Sequence, residues 1–167
     1  RAALGRPMVL AANTREGEEA DLLAAWRAMP AWAAEPATTA PVLCIVPRHP
    51  QRFDEVAAVI QASGLRLARR SHFASGTPAA DDLADEVWLG DSLGEMAAYY
   101  AAADVALLGG SFQPLGGHNL IEAAACGCPI VLGPSTFNFA DAAQLALAAG
   151  AAWRAVDTGP RQGAPAQ

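Results

Sequence analysis

The chain is predicted to fold as an α/β domain with a Rossmann-like parallel sheet and helices on both faces. Three observations predict it. Apolar runs alternate with helical patterns along the length of the chain, the pattern of successive strand–helix units. The run 105–108 (Val-Ala-Leu-Leu) is continuously apolar, as a strand buried on both faces must be. Every loop rich in Gly, Arg, His or Asn follows a strand, so a parallel sheet would gather all of them at one edge.

The elements follow in order. Residues 8–12 form the first strand. The loop 13–19 (Asn-Thr-Arg-Glu-Gly-Glu-Glu) leads into a helix to about residue 32, with acids at its start to suit the dipole and Leu22, Leu23, Trp26 and Met29 as its apolar stripe. Residues 36–41 are a loop and 42–46 the second strand, which runs into Pro47-Arg48-His49-Pro50-Gln51-Arg52-Phe53. A helix over 54–63, a turn at Gly64 and a strand over 65–68 come next. Residues 71–84, polar and small, read as a surface loop. The fourth strand is 87–89. Residues 91–95 open a helix to about 102, with Ser92 and Glu95 as a capping box. Strand 105–108, a helix opened by Gly116 and Gly117 and closed near Gly127, and strand 130–132 follow. A helix over 141–149 and a short strand over 151–156 end the domain. Residues 157–167, rich in Gly, Pro and Gln, are expected to be a poorly ordered tail.

Composition narrows the function. The 167 residues make one domain the default, and 53% hydrophobic residues suffice for a core on both faces of a sheet. A formal charge of −6 argues against nucleic acid as a partner, because a phosphate backbone needs a basic surface. A mononucleotide needs only one local basic group. Cys44 reads as core, and Cys126-Gly-Cys128 lacks the second ligand pair that a zinc site requires, so no metal is expected. No apolar run approaches membrane-spanning length and no signal peptide is visible, so this stretch is expected to be soluble. The chain opens Arg1-Ala-Ala-Leu-Gly, like the inside of a longer protein.

The chemistry concentrates in residues 104–139. Gly109, Gly110 and Ser111 end the strand, and the glycines here, with Gly116 and Gly117, are expected to leave backbone N–H groups bare beside a helix N-terminus, a place that suits a phosphate. Asn119 and Glu122 have capping-box spacing, which needs no ligand. Four glycines with a His and an Asn are more than a simple loop requires, and favour a ligand. Arg48 leads the candidates for an anion contact, since a guanidinium matches phosphate bidentately. His49 and His118 are candidate donors to the same anion, or structural hydrogen bonders. Arg52 is expected to face solvent. Glu122 suits two ribose hydroxyls, and Leu93, Gly94 and Glu95 offer backbone groups for a base edge. No Ser-His-Asp set, general base or metal cluster is evident, so the domain reads as one that holds a donor.

These motifs have a known counterpart. Asn-Thr-x-x-Gly-Glu-Glu, Pro-Arg-His-Pro-x-Arg-Phe, Gly-Asp-Ser-Leu-Gly-Glu, Gly-Gly-His-Asn-x-x-Glu-Ala and Gly-Pro-x-Thr-Phe-Asn-Phe closely resemble, over residues 7–156, the carboxyl-terminal half of the 3-deoxy-D-manno-octulosonic acid (Kdo) transferases. These are GT-B glycosyltransferases of lipopolysaccharide synthesis. The resemblance implies that residues 1–156 are the donor-nucleotide-binding half of a GT-B fold, with CMP-Kdo as donor. It implies CMP contacts at Pro47, Arg48, Leu93, Gly94, Glu95, Asn119, Leu120, Ile121 and Glu122. Further donor contacts are expected at His49, Gly110, Ser111, Gly117 and His118. It also implies transfer to a lipid A precursor at the cytoplasmic face of the bacterial inner membrane, with no metal or other cofactor. The acceptor site, catalytic carboxylate and membrane anchor would lie in the amino-terminal half, so no activity is expected of this half alone; the alternatives are a stand-alone nucleotide- or sugar-binding module and the donor half of a UDP-sugar-dependent GT-B enzyme. Arg15 departs from the pattern, standing where the family has His, and the family's C-terminal helices have no counterpart after Val156.

Overall fold

The computed structural model describes residues 5–29, 40–73, 77–79 and 81–155. Among these, seven strands pair in parallel in the order β3-β4-β2-β1-β5-β6-β7. They are β1 (Met8–Thr14), β2 (Val42–Pro47), β3 (Leu67–Arg69), β4 (Val87–Leu89), β5 (Val105–Leu108), β6 (Ile130–Leu132) and β7 (Ala152–Arg154). The helices are α1 (Glu18–Arg27), α2 (Phe53–Ala62), α3 (Met96–Ala102), α4 (Ile121–Ala125) and α5 (Ala140–Ala148). The predicted α/β class and parallel sheet therefore hold.

Alternation along the strands divides the core in two. Leu10, Val42, Cys44, Ala106, Leu108, Ile130 and Leu132 pack with Tyr100 of α3, Ala123 of α4 and Ala143 of α5 on one face. Ala11, Leu43, Ile45, Val87 and Leu89 pack with Leu23 and Trp26 of α1 and Val56, Ala57 and Ile60 of α2 on the other. Central strand β2 is buried at every position, as a strand covered on both sides must be. Strand order reverses at β1, which has β2 on one side and β5 on the other. The carboxyl ends of the strands at such a switch point are the usual ligand position in these sheets.

Several local expectations are corrected. The helix predicted to open at Gly116 and Gly117 starts only at Ile121, because both glycines have positive φ (84° and 75°), which an α-helix cannot accommodate. The 71–84 segment is more than a surface loop. Phe73 is buried edge-on against Trp88, with ring centroids 5.4 Å apart, and the Trp88 indole donates to the Asp82 carbonyl at 2.9 Å. Ser92 and Glu95 bond side chain to side chain, so they form no capping box, and α3 begins after them. Helix α1 ends at Arg27, and the residues that would extend it to 32 lie partly outside the described residues. The predicted tail 157–167 also lies outside them.

Candidate functional site

The site is built at the ends of β1 and β5. Strand β1 ends in an irregularity at Asn13, which has φ 57° and is the one non-glycine residue with positive φ among those described. Its carbonyl lies against Gly109, where an added Cβ would sit 2.2 Å from the Asn13 oxygen, so position 109 tolerates only glycine without movement of the backbone. Past the irregularity the chain turns through Gly17 into α1, and its first two residues turn inward. Glu18 accepts from the backbone N–H of Arg15 (2.9 Å), of Gly110 (2.8 Å) and of Phe112 (3.2 Å). Glu19 accepts from the Thr14 hydroxyl (2.7 Å) and from both terminal nitrogens of Arg52 (2.8 and 3.2 Å). Both glutamates are buried, so they are clasps between loops and not merely dipole partners.

Arg52 is correspondingly corrected. It does not face solvent but is 15% exposed, held between Glu19 and Glu55. The glycine loop is corrected as well. The N–H groups of Gly109, Gly110, Gly116 and Gly117 are taken by Ala12 O, the Glu18 carboxylate, Ser135 Oγ and Gly110 O, so none is bare. Ser111 is fully buried. Its hydroxyl donates to Leu108 O and accepts from Gly133 N–H, which commits it to the β5–β6 junction. Buried amides must find partners within the fold, and here they have found them.

The free donors lie one step further along. The backbone N–H groups of His118, Asn119 and Leu120 have no partner among the described residues. The His118 ring sits over Gly110, where a Cβ would come within 3.1 Å of it, and its buried Nε2 also lacks a partner. Burial, and then the charges of Arg48, Arg15 and His49, hold this imidazole below its ordinary pKa. Four basic side chains therefore gather at one place. The side chains of Arg15, Arg48 and His49 make no hydrogen bond or ion pair within the described residues, whereas Arg52, Arg66, Arg69 and Arg70 all pair with acids. Arg48 keeps its backbone fixed by donating from its N–H to Thr14 O at 3.0 Å.

The same edge of the sheet carries the remaining predicted residues. Pro47 closes β2 and is buried. Leu93 and Gly94 project at an exposed bend. Glu95 is held by Ser92 and by Arg70 (2.7 Å), and these contacts, Ser92 foremost, keep its carboxyl below the usual range. Below it, Asp91 is buried on Arg69 and on the N–H and hydroxyl of Ser71, anchoring this bend to the sheet edge. Leu120 is buried, whereas Ile121 and Glu122 are exposed. Asn119 Oδ1 accepts from Ile121 N–H at 3.0 Å, but Glu122 returns no bond to Asn119. The reciprocal capping box is thus absent, and the Glu122 carboxylate is unengaged among the described residues. Sequence reading missed Glu18, Glu19 and Asp91. Two adjacent acids directly after a strand, on an edge rich in amide donors, were the available signal.

No group of three His, Cys, Asp or Glu suited to a metal ion occurs among the described residues. Burial raises the Cys44 thiol to about 12, consistent with a core residue. No helix of the described residues is long and apolar enough to cross a membrane.

Comparison with known proteins places this edge in context. No family model matches the chain. It is 57% identical over 155 residues to the 3-deoxy-D-manno-octulosonic acid transferase of Bordetella pertussis, a match covering 93% of this chain and 35% of that protein. It is 38% identical over 134 residues to the Haemophilus influenzae protein of the same name, covering 80% of this chain and 29% of the relative. The chain thus spans about a third of the length of the curated relatives it matches. The crystal structure of the C-terminal CMP-Kdo binding domain of WaaA from Acinetobacter baumannii superposes with a TM-score of 0.79 at 35% identity, covering 92% of this chain and 75% of that one. Sequence and sheet agree over nearly the whole described length, and the chain belongs to the 3-deoxy-D-manno-octulosonic acid transferase family, matching its carboxyl-terminal domain.

Proposed function

We propose that this chain is the CMP-Kdo-binding domain of a Kdo transferase, and that the cationic cluster at the carboxyl edge receives the nucleotide phosphate. The observation that carries this is the gathering of Arg15, Arg48, His49 and His118 without acidic partners, beside the free N–H groups of residues 118–120. An exposed cation left unpaired in a chain of net charge −6 is a ready anion contact. Arg48 meets the phosphate, Glu122 accepts from the ribose hydroxyls, and the bend at Leu93, Gly94 and Glu95 lies against the cytosine. Pro47, Leu120 and Ile121 shape the walls between them, and Gly110, Ser111 and Gly117 hold the loop that carries His118 and Asn119.

In the full-length protein this half presents the activated sugar to a lipid A precursor held by an amino-terminal half, at the cytoplasmic face of the inner membrane. The catalytic carboxylate belongs to that half. This domain binds and orients the donor, and turns nothing over alone.

Titration calorimetry with a nucleotide panel tests the reading. CMP is expected to bind more tightly than UMP or UDP. Arg48→Ala is expected to weaken CMP by about 1.5–3 kcal/mol, the loss of a charge-assisted contact. Equal affinity for CMP and UDP, or no change in Arg48→Ala, would overturn it.

A further inference from the structure

The two faces of the sheet divide the loops of the carboxyl edge between them. The bend 93–95 leads into α3 and residues 118–120 lead into α4, and both helices pack on one face, where Cys126 Sγ lies 3.7 Å from the Ala97 carbonyl. Arg15 stands in the loop that leads into α1, and Arg48 and His49 in the loop that leads into α2, and those helices pack on the other face. The two arginines are neighbours in the fold. The Arg48 N–H donates at 3.0 Å to the carbonyl of Thr14, the residue before Arg15. Arg15 is also tied to the loop of His118. One oxygen of Glu18 accepts from the N–H of Arg15 (2.9 Å) and from that of Gly110 (2.8 Å), and the His118 ring lies over Gly110 with its buried Nε2 unpartnered. Neither guanidinium has a hydrogen bond or ion pair among the described residues. The acids that turn inward beside them are already spent, Glu18 on backbone amides and Glu19 on Thr14 and Arg52.

A phosphodiester carries one negative charge, and one guanidinium matches it bidentately. The edge holds a second guanidinium that this anion does not require. The donor proposed above carries a second anion as well. Kdo is an octulosonic acid, and in its CMP conjugate the carbon that bears the bridging oxygen also bears the carboxylate. Phosphate and carboxylate therefore stand side by side, as Arg48 and Arg15 do. Sheet order assigns them. Arg48 follows β2, next to β4 and the bend proposed to meet the cytosine, whereas Arg15 follows β1, one strand further from it. We propose that Arg15 reads the carboxylate of the sugar while Arg48 takes the phosphate, and that this contact selects an acidic sugar over a neutral one on the same nucleotide. The inference rests on the reading of this edge as the CMP-Kdo site. A neutral sugar would leave the Arg15 guanidinium without its anion, so discrimination comes from the missing contact.

The test uses the full-length protein and titration calorimetry with three probes. They are CMP, the CMP–Kdo phosphonate in which a methylene replaces the bridging oxygen so that it does not hydrolyse, and the same phosphonate with its carboxylate converted to the carboxamide. The two phosphonates differ only in that anion. The parent is expected to bind the acid about 10-fold or more tightly than the amide, the effect of one charge-assisted contact. Arg15→Ala is expected to bind the two phosphonates nearly alike, and Arg15→Lys to restore part of the preference, since an ammonium keeps the charge but not the planar fork. The Arg15 side chain makes no bond within the described fold, so its truncation removes none. A parent that binds acid and amide alike, or an Arg15→Ala that keeps the parent's preference, would overturn the inference. Arg48→Ala separates this from the reading beneath it. That variant is expected to weaken all three probes and to keep the preference for the acid. Unchanged CMP affinity in Arg48→Ala would overturn the phosphate assignment, and a preference lost in Arg48→Ala but kept in Arg15→Ala would move the carboxylate to Arg48 and overturn the present inference.

Discussion

Glu18 and Gly110 are 92 residues apart in the chain, yet the Glu18 carboxylate accepts the Gly110 N–H at 2.8 Å in a buried position. The same carboxylate takes the N–H groups of Arg15 and Phe112, so one side chain closes the loops after β1 and β5 on each other. Arg15 and His118 sit on those two loops. Their convergence depends on this clasp, because nothing in the local sequence of either loop brings them together.

Glu18→Ala is therefore expected to leave three amides without their acceptor. The stability loss should be about 2–4 kcal/mol, from hydrogen bonds to a charged group and unsatisfied donors. Urea unfolding measures it. CMP affinity, measured well below the variant's midpoint, should also fall, since the two loops no longer share an anchor. A variant as stable as the parent would show that the clasp does not hold the loops.

Gly109→Ala is expected to destabilise by about 1–3 kcal/mol or more, the range for forced overpacking. The new methyl would meet the backbone carbonyl of Asn13 at 2.2 Å, and backbone cannot swing aside as a flexible side chain can. Gly64→Ala is the comparison. It has positive φ but open space around it, so its cost comes from conformation alone. Equal losses at the two positions would refute the close-approach argument.

The Glu122 carboxylate is free of its helix, so removing it is expected to change stability by less than about 0.5 kcal/mol. The parent is expected to prefer CMP over 2′-deoxy-CMP by roughly 10-fold, the loss of one hydrogen bond to a charged group. Glu122→Ala should bind both weakly and nearly alike. A preference retained in the variant would remove Glu122 from the ribose site.

His118 ties stability to pH. Its folded pKa is held below the unfolded value of about 6.5, so below that pH the unfolded chain binds the extra proton. This contribution to stability is full above about pH 6.5 and is lost as pH falls through the folded pKa. In His118→Asn the difference in unfolding free energy between pH 7 and pH 5 should be smaller than in the parent. An identical difference would show that His118 does not titrate in this way.

Much of this was legible along the chain, because strand and helix patterns are local. The runs 87–89, 105–108 and 130–132 coincide with β4, β5 and β6 residue for residue, and alternation of strand and helix was enough to set a parallel sheet with its odd loops at one edge. The position of Arg48 directly after β2 was legible too. What the tertiary structure decided is which polar groups are spent and which are left. The glycine amides looked bare but are taken by Ala12, Glu18, Ser135 and Gly110, and Arg52 looked solvated but lies between Glu19 and Glu55. Each of those partners is set by packing between distant segments. Burial obliges a polar group to find a partner, and only the folded chain determines which one is within reach.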